Sequence, residues 1–221
     1  MRPVIILGVG ELAQLAHYYF VNDSPRKVAG FTVDDAYVRS AEFCGLPVVP
    51  FERVQERFPP GEFDLFVAIG YTDLNAARAR KCADAKARGY RLTSYVSTRA
   101  SVWPDLTLGE NCFIMEGNLI QPFVAIGSNV IIWCGSVISH HVQIADNCFI
   151  ASQVTMSGGA KIGANCFIGV NATIREHVTI GRNCIIGAGA LILKDAPAET
   201  GYVAAETRSA GIPSNRLKSL L

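Results

Sequence analysis

Three groups of residues in this chain of 221 have the types and spacing to do chemistry. The adjacent histidines His140 and His141 are followed, eighteen residues after the first, by Gly158. Should a repeat bring that glycine over the histidine, an imidazole able to accept a proton would lie beside a backbone N–H able to polarise a carbonyl. Spacing alone favours a plainer reading, a solvated pair at a corner of the fold. Gly8-x-Gly10-x-x-Ala13 follows the apolar run Val4 to Leu7 and opens a helical stripe. Such a turn offers N–H groups to a phosphate, and Asp34 and Asp35, after a second apolar run, stand about where a carboxylate meets a ribose hydroxyl. Glycines at a strand–helix turn also serve packing, so the motif alone does not decide. The third group, four histidines and seven cysteines, lacks Cys-x-x-Cys spacing, and no metal is expected.

Composition narrows the classes of function. Twenty basic residues against nineteen acidic ones leave a formal charge of +1, without the basic excess of a nucleic-acid binder. Half of the chain is hydrophobic and 18% is charged, enough for one large domain or two small ones. Residues 117–145 carry no formally charged side chain, yet Gly, Ser, Asn and Pro interrupt them throughout. A bilayer span needs roughly 20 mostly apolar residues, so no membrane segment is expected. No basic-then-apolar export pattern is present, and an odd number of cysteines without a compact framework fits free thiols. A cytoplasmic protein is expected.

The elements that must position these groups come from a six-residue period. From Val96 to Ile192 an aliphatic residue or Met stands at every sixth position, seventeen times without a break. Asn111, Asn129, Asn147, Asn165 and Asn183 recur every eighteen residues, four of them followed by cysteine (Cys112, Cys148, Cys166, Cys184). Eighteen is three sixes, so three hexads form one coil and every coil repeats the same corner. Asn tolerates the left-handed backbone of such a corner, and the cysteine reads as a small stacked interior side chain. The period is that of a three-sided parallel β-helix, its coils ~4.8 Å apart and its prism about 27 Å tall. In that register Gly158 stacks over His140, and His177 lies two coils above His141.

Residues 1–95 are built differently, holding 23 charged residues against 11 in residues 96–197. Val4 to Leu7, Val28 to Val33 and Leu65 to Ile69 read as strands. Leu12, Leu15, Ala16 and Tyr19 form a helical stripe, and a second helix is expected over 73–88. Alternating strands and helices imply a small parallel α/β sheet. The expected organisation is a Rossmann-like domain over 1–95, the β-helix over 96–197, and a loop-like tail over 198–221 with Gly211-Ile212-Pro213 near its end. About 95 residues hold one mononucleotide half of the doubly wound fold, so a mononucleotide is expected rather than a dinucleotide.

An α/β nucleotide-binding domain followed by uninterrupted hexads resembles the hexapeptide-repeat sugar acyltransferases of bacterial glycan synthesis, the sialic acid O-acetyltransferase and bacillosamine or perosamine N-acetyltransferase group. Ile5 to Gly10, Phe31 to Asp35, Phe66 to Gly70, Ile138 to Ile144, Ser157 to Gly163 and Ile186 to Ala190 carry the resemblance. It implies a left-handed β-helix, an exception to the usual right-handed crossover. It also implies a homotrimer, acetyl-CoA in the groove between neighbouring β-helices, and a nucleotide sugar on the N-terminal domain. His140 falls on the general base of the group and Gly158 on the amide that holds the acetyl oxygen. Gly8, Gly10, Asp34, Asp35 and Gly70 match nucleotide-contacting positions, and His141 is placed with the substrate. Transfer is implied to be direct, without an acyl-enzyme.

Departures from the group shape the expected reaction. The residue after the histidine is commonly Asp or Glu, whereas His141 offers the base no fixed negative charge. Phe149 stands where some members carry another histidine, and the tail lacks the common Gly-Asn-Pro-Ala ending. A weakly supported base suits an amine, already nucleophilic when unprotonated, better than a hydroxyl. The expectation is acetyl-CoA-dependent N-acetylation of a nucleotide-linked amino sugar, a 4-amino-4,6-dideoxyhexose. The alternatives are O-acetylation of a sialic acid type of sugar and a non-catalytic, nucleotide-binding trimeric scaffold. Hexapeptide-repeat carbonic anhydrases bind zinc with three histidines, one of them five residues after the second. Arg182 stands at that place here, so a zinc hydratase is not expected.

Overall fold

The computed structural model describes residues 1–209 and 211; Ile212 and Pro213 of the tail lie outside the described residues. The N-terminal sheet comprises β1 (Val4–Leu7), β2 (Val28–Val33), β3 (Glu42–Phe43), β4 (Leu46–Pro50), β5 (Asp64–Val67) and β6 (Arg91–Leu92). Its order is β3-β4-β2-β1-β5-β6, and every pairing is parallel except the β3–β4 hairpin. β1 is buried along its whole length between β2 and β5, which is why it reads as a continuous aliphatic run and not an alternation.

Helix α1 (Glu11–Asn22) starts from Gly10 and turns Ala13, Ala16 and Phe20 onto the sheet. Leu12, Leu15 and Tyr19 of the expected stripe are only partly buried, because α1 has a second partner. They lie toward the repeat, where Tyr19 meets Tyr95 and Phe113 at ring separations of 5.3 and 5.6 Å. Helix α2 (Val54–Arg57) is a single turn, and α3 (Ala76–Ala87) begins later than the sequence pattern suggests. The cause is a left-handed turn at Asp73, Leu74 and Asn75, with φ of 56, 46 and 69°. Such a conformation costs a non-glycine residue roughly 1–2 kcal/mol. The Asn75 amide anchors the turn, donating to Cys166 O (3.2 Å) and accepting from Arg78 (3.1 Å).

From Tyr95 onward the chain winds into the left-handed β-helix, with sheets of seven, six and five strands forming its three faces. Face one runs from Tyr95–Val96 through Phe113–Ile114, Ile131–Ile132, Phe149–Ile150, Phe167–Ile168 and Ile185–Ile186 to Gly201–Tyr202. Face two runs from Ser101–Val102 to Leu191–Ile192, and face three from Thr107–Leu108 to Thr179–Ile180. The second residue of each pair points inward, and these side chains with the Cys and Val corner residues make one continuous core. All five asparagines of the eighteen-residue series have positive φ, between 55 and 62°.

The tail differs from the loop expected of it. Gly201–Tyr202 pairs in parallel with Ile185–Ile186, and Ala196 bridges Ile180, each at an offset of sixteen residues. The last coil is two residues short, so its strand falls out of the hexad phase that marks the others.

The outward residues of face one explain how the two domains join. Phe113, Ile131 and Phe149 are buried beneath the N-terminal domain, while Phe167 and Ile185 beyond it remain partly or largely open. Full burial of such a side chain contributes roughly 1.5–3 kcal/mol. The same positions on face three are Thr107, Ala125, Gln143, Lys161 and Thr179, which need no cover. Arg78 of α3 pins the seam. It is completely buried, and its guanidinium donates to Gly70 O (2.6 Å), to Asn129 Oδ1 and O (2.9 and 3.1 Å) and to Cys148 O (3.2 Å). Burial draws its pKa down to about 10, and carbonyl dipoles take the place of a carboxylate partner.

Candidate active site

The corner between faces two and three carries the histidines. Ile138 ends a strand of face two and Gln143 begins one of face three, so Ser139 to Val142 make the turn. His141 takes the left-handed conformation (φ 59°) and its N–H donates to Pro122 O at 3.3 Å. The His140 N–H donates to Gln121 Oε1 at 2.8 Å. Both imidazoles are exposed. Their Nδ1 atoms are 3.1 Å apart, within hydrogen-bond distance, and the rings stand nearly perpendicular at 85°. Phe123, one coil below His141, lies against that ring with centroids 4.8 Å apart.

Gly158 lies one coil above His140. A Cβ there would fall 2.7 Å from His140 Nε2, so glycine is the residue that lets the ring lie across the backbone. The neighbouring Gly159 N–H donates to His140 O (2.9 Å), and Gly158 O accepts from the His177 N–H (3.0 Å). The Gly158 N–H has no protein acceptor among the described residues. An exposed imidazole edge thus lies over the unspent amide donor of a glycine that is itself buried, the two parts that proton removal and oxyanion stabilisation require.

His177 sits over Gly159, whose Cβ would come 2.8 Å from its Cε1. Among the described residues no three His, Cys, Asp or Glu side chains are grouped to hold a metal ion. The cysteine column is interior: Cys112, Cys148, Cys166 and Cys184 are fully buried, and their thiols donate to the carbonyls of Gly127, Gly163, Gly181 and Pro197. Burial pushes the Cys112 thiol up to about 11.

The other expected residues gather at the carboxyl edge of the N-terminal sheet. Gly8 has φ +130°, and a Cβ there would meet Ala68 O at 2.8 Å, so this glycine permits close packing of the turn on the segment after β5. Gly10 and Gly70 face open space, with nothing within 4 Å of a Cβ. Asp34 is already engaged by Lys81 of α3 at 2.5 Å, and the Asp35 N–H donates to Glu52 Oε2 at 3.0 Å. A cleft of about 570 Å³ adjoins Gly70, between α1 and face one, walled by Glu11, Leu12, Tyr18, Tyr71 and Trp133.

Within one chain the two groups are apart. His140, His141 and Gly158 occupy the corner between faces two and three, whereas the N-terminal domain covers face one on the far side of the prism. Gln121, Phe123 and Lys81 were not singled out by sequence. Phe123 could have been, standing eighteen residues before His141; Gln121 stands nineteen before its partner, and Lys81 looks like any solvated helical lysine.

Residues 105–140, 123–158 and 159–194 match the bacterial transferase hexapeptide (six repeats) family. No curated protein matches the sequence. Among solved structures, PerB from Caulobacter crescentus in complex with CoA and GDP-perosamine superposes with a TM-score of 0.80 at 29% identity, covering 90% of this chain and 92% of that one. The acetyltransferase domain of PglB from Neisseria gonorrhoeae gives 0.80 at 23%, covering 91% and 96%. WeeI from Acinetobacter baumannii gives 0.59 at 21%, covering 92% and 97%; these last two share the fold. In its repeat, its α/β domain and this likeness along nearly the whole length, the chain is similar to the hexapeptide-repeat sugar N-acetyltransferases.

Proposed function

We propose that the protein transfers the acetyl group of acetyl-CoA to the amine of a nucleotide-linked amino sugar, a 4-amino-4,6-dideoxyhexose. The observation that carries this reading is the His140 ring lying across Gly158, whose N–H is unspent. The unprotonated amine attacks the thioester carbonyl carbon, and the Gly158 N–H holds the resulting oxyanion. His140 Nε2 takes the proton released by the nitrogen. The C–S bond then breaks, the thiolate of CoA recovers a proton, and the amide leaves. No acyl-enzyme is formed.

The nucleotide is assigned to the N-terminal domain, its phosphates at the turn from Gly8 to Gly10 beside Gly70 and its ribose toward Asp34 and Asp35. Separation of that edge from the His140 corner supports a homotrimer, in which one copy brings its corner to the sugar held by the next and acetyl-CoA lies between neighbouring β-helices. The likeness to PerB, solved with CoA and GDP-perosamine, supports an amino-sugar acceptor.

CoA release with GDP-, UDP- and dTDP-linked 4-amino sugars, beside hydroxyl-only controls, tests the reading. A blank without acceptor is needed because the chain has seven cysteines of its own. Turnover with an amino sugar and a product bearing one acetyl amide is the expected result. Release on sialic acid alone would turn the reading to O-acetylation, and silence on every acceptor would overturn it.

A further inference from the structure

The two histidines of the exposed corner do not have equal places. His140 directs its Cε1–Nε2 edge over Gly158 and its Nδ1 toward His141 Nδ1, 3.1 Å away. A hydrogen bond between two Nδ1 atoms can be made in only two ways, since one must carry the proton and the other must be bare. If His140 donates, its Nε2 is bare and faces Gly158 as a base. If His141 donates, His140 Nε2 carries the proton and cannot accept another. The tautomer of the pair therefore decides whether His140 can act.

We propose that His141 is a positioning residue: its bare Nδ1 accepts the Nδ1–H of His140 and so keeps His140 Nε2 free above Gly158. The proposal rests on the reading of His140 as the base. Phe123 lies against the His141 ring and limits its rotation about the turn. An aspartate at this place would accept the same proton without being able to donate one in its ionised form. A histidine accepts only while neutral, so a proton on either ring silences the pair. The protonated His140 has no free Nε2, and a protonated His141 forces the opposite tautomer.

Few other charges reach this corner. The pair is flanked by Gln121, Pro122 and Phe123 from the coil below and by Ser157, Gly158 and Gly159 from the coil above, none of them ionisable near neutrality. On the same column Asp105 lies two coils below, its carboxylate spent on the Phe123 N–H at 2.8 Å, and Glu176 and His177 lie two coils above, with His177 seated on Gly159.

Two substitutions separate positioning from mere packing. His141→Asn supplies a carbonyl that can accept the Nδ1–H but does not titrate, and Asn adopts this left-handed backbone at six positions of the same prism, as at Asn147 (φ 62°) and Asn171 (φ 59°). His141→Phe removes the acceptor, and Phe123 already holds a left-handed corner (φ 65°) one coil below, so the fold accommodates it. We expect His141→Asn to keep kcat within about threefold of the parent and His141→Phe to lower it about 10- to 100-fold with KM unchanged. Equal loss in both variants would overturn the proposal. Long-range proton–nitrogen correlation spectra of the 15N-labelled protein at neutral pH give a readout apart from turnover. The expected spectrum has His140 protonated at Nδ1 and His141 at Nε2, and the reverse assignment refutes the positioning role. A protein silent on every amino sugar but with the expected tautomers would fail the proposed reaction and leave the hydrogen-bond assignment standing.

Discussion

Two corners of the same prism use one backbone conformation for opposite ends. Between faces three and one, Asn111, Asn129, Asn147, Asn165 and Asn183 turn the chain with positive φ; between faces two and three, Phe123, His141 and His177 do the same. The asparagine corner spends its polar groups on structure. Asn111 donates to Asn129 Oδ1 (3.0 Å), Asn129 to Asn147 Oδ1 (2.8 Å) and Asn165 to Asn183 Oδ1 (3.0 Å), while Arg78 and Val67 attach the N-terminal domain to it. The histidine corner lies away from the docked domain and keeps His140 Nε2 and the Gly158 N–H unspent. A left-handed corner is thus neutral as to role, and what covers it decides whether its side chains hold the fold or stay open to solvent.

The largest expected effect breaks the chemical side of the comparison. His140→Ala should lower kcat between about 10- and 1000-fold, the lower part of the roughly 100- to 10,000-fold that general bases supply, since an unprotonated amine is already nucleophilic. Its melting temperature should stay near that of the parent, since the side chain is exposed. Steady-state rates with an amino-sugar acceptor and a thermal scan check both halves. Near-parental activity at every pH would remove His140 from the base role.

On the structural side, Arg78→Met should cost roughly 2–4 kcal/mol of stability, because several buried acceptors lose their donor at once. Denaturant unfolding measures the loss, and kcat per folded molecule should hardly change. A smaller effect is expected from Gly158→Ala, whose methyl would push the His140 ring aside: about a tenfold drop in kcat, with little change in stability. A rate loss for Arg78→Met larger than for Gly158→Ala, at equal folded fractions, would blur the division between the corners.

Much of this arrangement was legible. Seventeen inward residues at one period, all aliphatic but Met156, leave little choice of architecture, and the eighteen-residue step places Gly158 over His140 without any structure. Docking was harder to see. Its signal is the outward row Phe113, Ile131 and Phe149, which shares the period of the inward row and hides within it. Arg78 sits in a helix rich in Ala, Arg and Lys that reads as solvated, and only the approach of the Asn129 corner makes it a buried pin. The strand at Gly201–Tyr202 escaped because its coil is two residues short of the period. The Nδ1–Nδ1 contact depends on rotamers at adjacent positions, which spacing does not encode.

The smallest expected effect sharpens the comparison through acid. At the end of α1, the Asp23 carboxylate accepts from the Tyr95 hydroxyl (2.5 Å), the Ser97 hydroxyl (2.9 Å), the Thr98 N–H (2.9 Å) and the Thr98 hydroxyl, tying the N-terminal domain to the first coil. The Thr98 and Tyr95 hydroxyls hold its carboxyl well below the usual carboxylate range. For the buried Asp64, burial pushes upward but the Arg91 and Arg26 guanidiniums outweigh it, and the carboxyl is again held low. A carboxyl whose folded value is depressed lends stability above its unfolded value of about 3.9 and loses it as the pH falls toward the folded value. The melting temperature should therefore be insensitive to these two groups between about pH 5 and 7 and fall below about pH 4. Asp23→Asn should lower the melting temperature at neutral pH and flatten the acid decline, whereas His140→Ala should leave that decline as it is. An Asp23→Asn protein with the parent's full acid decline would mean that the seam draws its acid sensitivity from elsewhere, with Asp64 and its two arginines the next pair to test.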